Sequence, residues 1–199
     1  PGYPLIEAYL TGKELKTVAE IDASVSDLMT SARLYMYGLQ FTYNPHRMIL
    51  NRVTDVYLLD ADGNRRELED DKLYRVVADL YSGQMLSAVT KTSYGLLSVV
   101  PKKADGTPIE NFEDVILTDN GGELKAWTAI AHYMESFPDE NGDGIADIPQ
   151  YYAGLHERKV VDDSANLIKL IKNPNKYAVM IAGVVLIVIL LVVLLIRLV

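Results

Sequence analysis

No cysteine occurs in the chain, so disulfides and thiol chemistry are excluded, although the absence does not select a compartment. Histidine is scarce. His46, His132 and His156 are the only three, widely spaced and outside any H-x-H or H-E-x-x-H pattern, so each reads as a surface or helix-packing residue and no catalytic two-metal centre is expected from them. Basic residues are outnumbered, with 19 Lys and Arg against 27 Asp and Glu, and every acid precedes residue 177. An acidic soluble part repels a polyanion, which argues against nucleic acid as a partner. No internal repeat, low-complexity run or N-terminal targeting segment is visible. The first residue is proline rather than methionine, which reads as a processed or partial chain.

What the sequence has in excess is one apolar run. Residues 177–196, "YAVMIAGVVLIVILLVVLLI", are 20 residues without a formal charge. At about 1.5 Å rise per residue they cover the ~30 Å hydrocarbon core of a bilayer, so a transmembrane helix is expected there. A buried core helix is the alternative, but it would be unusually long and apolar on every face.

The rest alternates between two periods. Leu5, Glu7 and Tyr9 alternate with Ile6, Ala8 and Leu10 as a strand does. Thr11-Gly12-Lys13-Glu14 then forms a capping box, followed by a helix whose buried stripe is Leu15, Val18 and Ala19. Leu39, Phe41 and Tyr43 predict a second strand with Gln40 and Thr42 on a wet face, ended by Asn44-Pro45. Residues 53–59 and 74–78 read as an antiparallel pair joined by a polar loop around Asp62-Gly63. Helical turns are expected over 83–91, a strand over 96–100 and a helix over 123–134. Leu167, Ile168, Leu170 and Ile171 mark an amphipathic turn or two over 163–176, expected to lie at the membrane surface. The fold class is therefore α+β: a mixed or antiparallel sheet with packed helices over 1–137, a calcium-loop-like segment over 138–150, a last strand and juxtamembrane stalk over 151–176, and the transmembrane helix over 177–199.

Three stretches in order, "GYPLIEAYLTGKELK", "YGLQFTYNP" and "DDKLYRVVADLY", resemble the C-terminal domain of the 5'-nucleotidase family over roughly residues 2–137. The resemblance implies a two-domain parent, in which an N-terminal metallophosphatase domain carries the catalytic divalent metals and this domain supplies a nucleoside pocket. It places Tyr81 at the second base-stacking position and Met36 at the first, with Tyr35 and Tyr37 beside it, and counts Gly38 among the substrate-binding residues. It also implies that phosphate-contacting arginines lie before residue 1. The chain departs from the family where "GQMLSAV" over 83–89 replaces a glycine-rich run, and Ser87 stands where the ribose-binding carboxylate is expected. Loss of the glycines removes a tight backbone approach, and loss of the carboxylate removes an acceptor for ribose hydroxyls.

"PDENGDGIADIP", residues 138–149, spaces oxygen-bearing side chains as a calcium loop does. Counted from Asp139, Asn141, Asp143 and Asp147 fall at the third, fifth and ninth positions, Gly144 at the sixth, and the Ile145 carbonyl at the seventh. Gln150 occupies the twelfth position, where an EF-hand has its bidentate Glu, so Asp147 would have to take that part. A structural Ca2+ is the expected cofactor, with a solvated polar linker as the alternative.

These readings make the chain the nucleotide- or nucleoside-binding half of a membrane-anchored cell-surface phosphohydrolase, partnered by the metallophosphatase domain and the lipid bilayer. The alternative is a degenerate, non-catalytic binding or spacer module. Lys169, Lys172 and Lys176 precede the apolar run and only Arg197 follows, which by itself would put the soluble part in the cytoplasm. The acidic domain, the calcium loop and the family resemblance favour a single-pass plasma-membrane protein with its soluble domain outside.

Overall fold

The first strand hands over to the first helix without a loop. β1 (Leu5–Thr11) is followed at once by α1 (Gly12–Val25). The Thr11 N–H donates to Glu14 Oε2 at 2.8 Å and the Glu14 N–H donates to Thr11 Oγ1 at 3.2 Å, the reciprocal cap that the sequence predicts. Gly12 is required by a close approach: a Cβ there would overlap the Glu69 carbonyl oxygen. Leu15, Val18 and Ala19 are buried, as the helical spacing predicts.

The computed structural model describes residues 2–26, 33–60, 62–92 and 97–198. It divides into two units, Pro1–Thr17 with Leu68–Glu157 and Val18–Glu67 with Arg158–Val199.

In the first unit β1 pairs antiparallel with β5 (Leu73–Asp79), Leu5 opposite Asp79 and Thr11 opposite Leu73. α2 (Leu80–Thr92) leaves directly from β5, and the Asp79 carboxylate caps it by accepting from the Ser82 N–H at 2.9 Å and the Ser82 hydroxyl at 2.6 Å. The short hairpin β6 (Thr118–Asp119) and β7 (Gly122–Glu123) precedes α3 (Ala126–Glu135). Ile6, Ala8, Leu10, Leu15, Leu97 and Val99 form this unit's core.

The second unit is built on a four-stranded sheet, in the order β4 (Arg65–Glu67), β3 (Val53–Leu59), β2 (Leu39–Tyr43) and β8 (Lys159–Val161). β2 runs antiparallel to β3 and parallel to β8. Phe41, Leu39, Val56 and Tyr57 fill its core with Val18, Ala19 and Ile21 of α1. α4 (Leu167–Ile171) and the long α5 (Lys176–Leu198) follow β8. α5 is long and apolar enough to cross a membrane; its first turn buries Tyr177 and Ala178, while Val179, Met180 and residues 184–196 are exposed.

Several sequence expectations are corrected. β3 and β5 are not partners: β3 turns back on β4 through 60–64, where Asp60 Oδ1 accepts from the Asp62 and Asn64 N–H groups, and β5 goes to β1. Two strands with similar patterns cannot reveal from sequence which of them pair. Gln40 is buried rather than wet, because both faces of β2 are covered over residues 39–41. No strand forms over the described residues 97–100; the Val99 N–H and carbonyl both bond the Thr90 hydroxyl instead. The helix expected from 123 begins at Ala126, since 122–123 are taken by β7.

Candidate functional site

A cleft in the second unit gathers charge and aromatic surface around residues 33–37, the stretch leading into β2. Its organiser is Asp22, near the C-terminal end of α1 and only 2% exposed. Asp22 Oδ1 accepts from the Leu34 N–H at 2.7 Å, and Oδ2 lies 2.6 Å from the Lys159 ammonium of β8. Lys159 also donates to the Leu34 carbonyl. One buried carboxylate thus pins the approach to β2 against β8, and its charge is met by a cation as burial requires.

The resulting cleft, about 420 Å³, is lined by Arg33, Tyr35, Met36, Tyr43, Arg158 and Lys159 along with Asp22. Tyr35 and the adjacent Tyr37 are 90% and 81% exposed. The Lys159 ammonium stands 5.6 Å from the Tyr35 ring centre, and the Arg158 guanidinium 4.7 Å from that of Tyr37. Three cations against one carboxylate leave the cleft positive in a chain that is acidic as a whole. Such a site has π faces for a planar group and guanidinium forks for an oxyanion.

The residues singled out from sequence fall in different places. Met36 is half-buried and lines the cleft. Gly38 adopts φ +80°, and its carbonyl accepts from the Leu59 N–H at 2.9 Å, turning the chain into β2. Tyr81 belongs to the first unit, in the first turn of α2, where Tyr3 stacks on it with ring centres 5.5 Å apart and planes at 28°. Residues 83–89 are helical, so Ser87 sits on a helix and no glycine-rich turn follows Tyr81. Gly83 nevertheless marks close packing, since a Cβ there would overlap Ile6 Cδ1.

Arg33, Arg158, Lys159 and Asp22 escape a sequence reading because they are contributed by three separate segments. The one local signal is Asp22 on the buried half of an otherwise apolar helix stripe, an acid that needs a partner.

The histidines take structural places. His46 Nε2 lies 2.8 Å from Asp163 Oδ1, His132 Nδ1 is 3.6 Å from Asp119 Oδ2, and His156 stacks on Tyr151 with ring centres 4.0 Å apart. Among the described residues no three His, Cys, Asp or Glu side chains converge to hold a metal ion.

The acidic loop is closed by its own main chain. Asp139 accepts from the N–H groups of Gly142, Asp143 and Gly144 at 2.6, 3.2 and 2.8 Å, while Asp147 accepts from Glu140 and Asn141. The Gly144 N–H is foremost among the donors that hold the exposed Asp139 carboxyl below its usual range. Asn141 and Asp143 accept from the Asp143 and Ile145 N–H groups, and Gly142 and Gly144 take φ of +76° and +87°. The carboxylates bond N–H groups in this arrangement and do not converge on a common centre.

Residues 2–89 match the family described as 5'-nucleotidase, C-terminal domain. Two solved structures are similar. The 5'-nucleotidase precursor from Thermus thermophilus is 20% identical with a TM-score of 0.49, over 80% of this chain and 25% of that one. The NAD nucleotidase of Haemophilus influenzae is 26% identical with a TM-score of 0.36, over 41% of this chain and 15% of that one. The chain thus spans about a quarter or less of the length of these relatives. No curated protein sequence matches it.

Proposed function

We propose, from the premise that residues 2–89 match the 5'-nucleotidase C-terminal domain family, that this chain is the substrate-binding part of a membrane-anchored phosphohydrolase acting on nucleotides. The observation that carries the reading is the cleft of the second unit, in which the exposed Tyr35 and Tyr37, at the entry to the family's second motif, stand beside Arg33, Arg158 and Lys159. A nucleoside monophosphate offers both groups the cleft can use, a flat base and a dianion. The phosphoryl-transfer chemistry belongs to a metallophosphatase partner domain, and α5 anchors the assembly in the plasma membrane with the soluble part outside.

The test is a calorimetric titration of the full chain with AMP and with adenosine. AMP is expected to bind at least ten-fold tighter, and Arg158→Ala to remove about 1.4 kcal/mol of that binding, a factor of ten. Arg158 is preferred to Lys159 for substitution because Lys159 also neutralises buried Asp22. Equal affinity for the two ligands would remove the phosphate from the reading, and no binding of either would leave the second reading, a surface module that keeps the fold without the ligand. The helical 83–89 segment and the stacking of Tyr3 on Tyr81 favour that second reading.

The acidic loop enters as a structural calcium site in the same reading. Asp139, Asn141, Asp143, Asp147 and the Ile145 carbonyl supply the oxygens, with Asp143 and Asp147 turning toward Asp139 when the ion enters. Calcium at about 100 times its dissociation constant is expected to stabilise the chain by about 2.7 kcal/mol, raising the melting temperature by several degrees. Asp143→Ala should abolish the rise. An unshifted wild-type melt in calcium leaves the loop a polar linker.

A further inference from the structure

Beyond the anchor itself, the second unit exposes an apolar surface where it meets α5. Leu167, Ile168 and Ile171 of α4 are 76%, 73% and 74% exposed, although their i, i+1, i+4 spacing puts them within one face of the helix. Leu170 and Lys169 lie off that face; Leu170 is half-buried and Lys169 pairs with Asp162 at 3.4 Å. Met48 and Ile49, at the tip of the 44–52 loop, are exposed as well.

This surface is held rigidly by three buried polar side chains of that loop. Asn44 Nδ2 donates to the Ser164 carbonyl at 2.8 Å. Arg47, 5% exposed, places Nη1 on the carbonyls of Lys169 and Lys172 at 2.8 and 3.0 Å and Nε on the Asn51 carbonyl at 2.6 Å, which caps the C-terminal end of α4. Asn51 Oδ1 accepts from the Asn175 N–H at 2.9 Å, and Asn175 Oδ1 accepts in turn from the Tyr177 and Ala178 N–H groups at the start of α5. α4 and α5 are therefore fixed to one loop, and only residues 172–175 separate them.

We propose that α4 and the Met48–Ile49 tip form a seat that lies in the headgroup–acyl boundary of the bilayer that α5 crosses. The inference rests on α5 being the membrane anchor, and it adds where the second unit stops. α5 leaves the unit after a single turn, since Tyr177 and Ala178 are buried and Val179 is exposed. The four-residue link spans at most about 14 Å even when extended, and its Lys172 and Asn175 are bonded to the same loop that holds α4, so α4 is kept beside the point where α5 enters a bilayer that begins at Val179. An interfacial helix buries its apolar face about 5–10 Å deep, a depth Leu167, Ile168 and Ile171 can reach while Lys172 and Lys176 lie level with the lipid phosphates. Asp162 and Asp163, the acids that precede α4, are engaged by Lys169 and His46.

The test uses tryptophan depth probes in the full chain, reconstituted in phosphatidylcholine vesicles with a fraction of phosphatidylserine. Trp127, the only native tryptophan, is first replaced by Phe. Single reporters are then introduced as Ile168→Trp in α4, Leu186→Trp in the middle of α5 and Arg66→Trp in β4, an exposed position at the sheet edge opposite β8. Lipids brominated close to the headgroup are expected to quench Ile168→Trp most strongly, lipids brominated near the chain ends to quench Leu186→Trp, and neither to quench Arg66→Trp. Ile171→Trp provides a second α4 reporter if Ile168→Trp does not fold. Quenching at 186 with α4 reporters as bright as Arg66→Trp overturns the seat and leaves the anchor standing. No quenching at 186 removes the anchor and the seat together.

Discussion

Glu20→Ala is expected to destabilise the second unit by about 3–5 kcal/mol, because each buried donor left without its acceptor costs about 1–3 kcal/mol. Glu20 is 4% exposed and accepts from one buried donor, the Ser24 hydroxyl at 2.6 Å, and two part-buried ones, the Arg52 N–H at 2.8 Å and the Val53 N–H at 2.9 Å. Ser24, itself fully buried, passes the connection on by accepting from the Leu50 N–H. One carboxylate thus holds the entry to β3 against α1. Glu20→Gln keeps the shape but turns an amide N–H toward one of the donors, so a smaller loss, about 1–2 kcal/mol, is expected.

The pH dependence separates the wild type from both variants, since neither Ala nor Gln titrates. Burial raises the Glu20 pKa above its ordinary 4.5, and the hydrogen bonds from Ser24, Val53 and Arg52, with the nearby Arg47 charge, only partly oppose it. The folded state therefore holds this proton more tightly than the unfolded chain. Its contribution to stability is complete below pH 4.5 and is lost as the pH rises through the raised folded value. Glu20→Gln should remove that slope. Amide exchange over residues 39–59 as a function of pH reads both effects, and protection within about 1 kcal/mol of wild type in Glu20→Ala would overturn the assignment.

Lys102→Met is expected to cost the first unit about 2–3 kcal/mol, below the usual range for breaking a buried pair because the two side chains keep 18% and 11% exposure. The Lys102 ammonium contacts both oxygens of Glu14, at 2.6 and 2.7 Å, and also the Val100 carbonyl. Burial alone would raise the Glu14 pKa, but the Lys102 ammonium, the Thr11 and Val100 N–H groups and the Thr11 hydroxyl outweigh it and bring it below 4.5. The stability this supplies is present above pH 4.5 and lost as the pH falls through the lowered folded value, opposite in sign to Glu20. Denaturant melts of the full chain at neutral and acid pH should show Lys102→Met closing the gap to wild type as Glu14 protonates. A constant difference across that range would mean Lys102 acts by packing alone.

What sequence could reveal was local. The Thr11–Glu14 cap, the apolar stripe of α1 and the uninterrupted length of α5 are each written within a few neighbouring residues, so pattern and propensity suffice. Pairing is not local: β1, β3 and β5 carry similar sequence patterns, and nothing within any of the three says which two meet. Of the cleft's lining the family resemblance had singled out Met36 alone, whereas Arg158 and Lys159 come from a part of the chain outside the motif. Glu14 showed itself as a cap residue, yet its partner Lys102 lies 88 residues further on.

The parallel pairing of β2 with β8 also fixes an order of events during synthesis. The Phe41 N–H finds its acceptor in the Arg158 carbonyl, and Lys159 reaches back to Leu34 across 125 residues. At about 5–20 residues per second, a ribosome takes on the order of ten seconds to cover that interval. Throughout it one edge of an apolar strand stands open to other nascent chains. The apolar helix that follows β8 emerges later still, so protection of that edge and delivery of the helix fall to the same late moment.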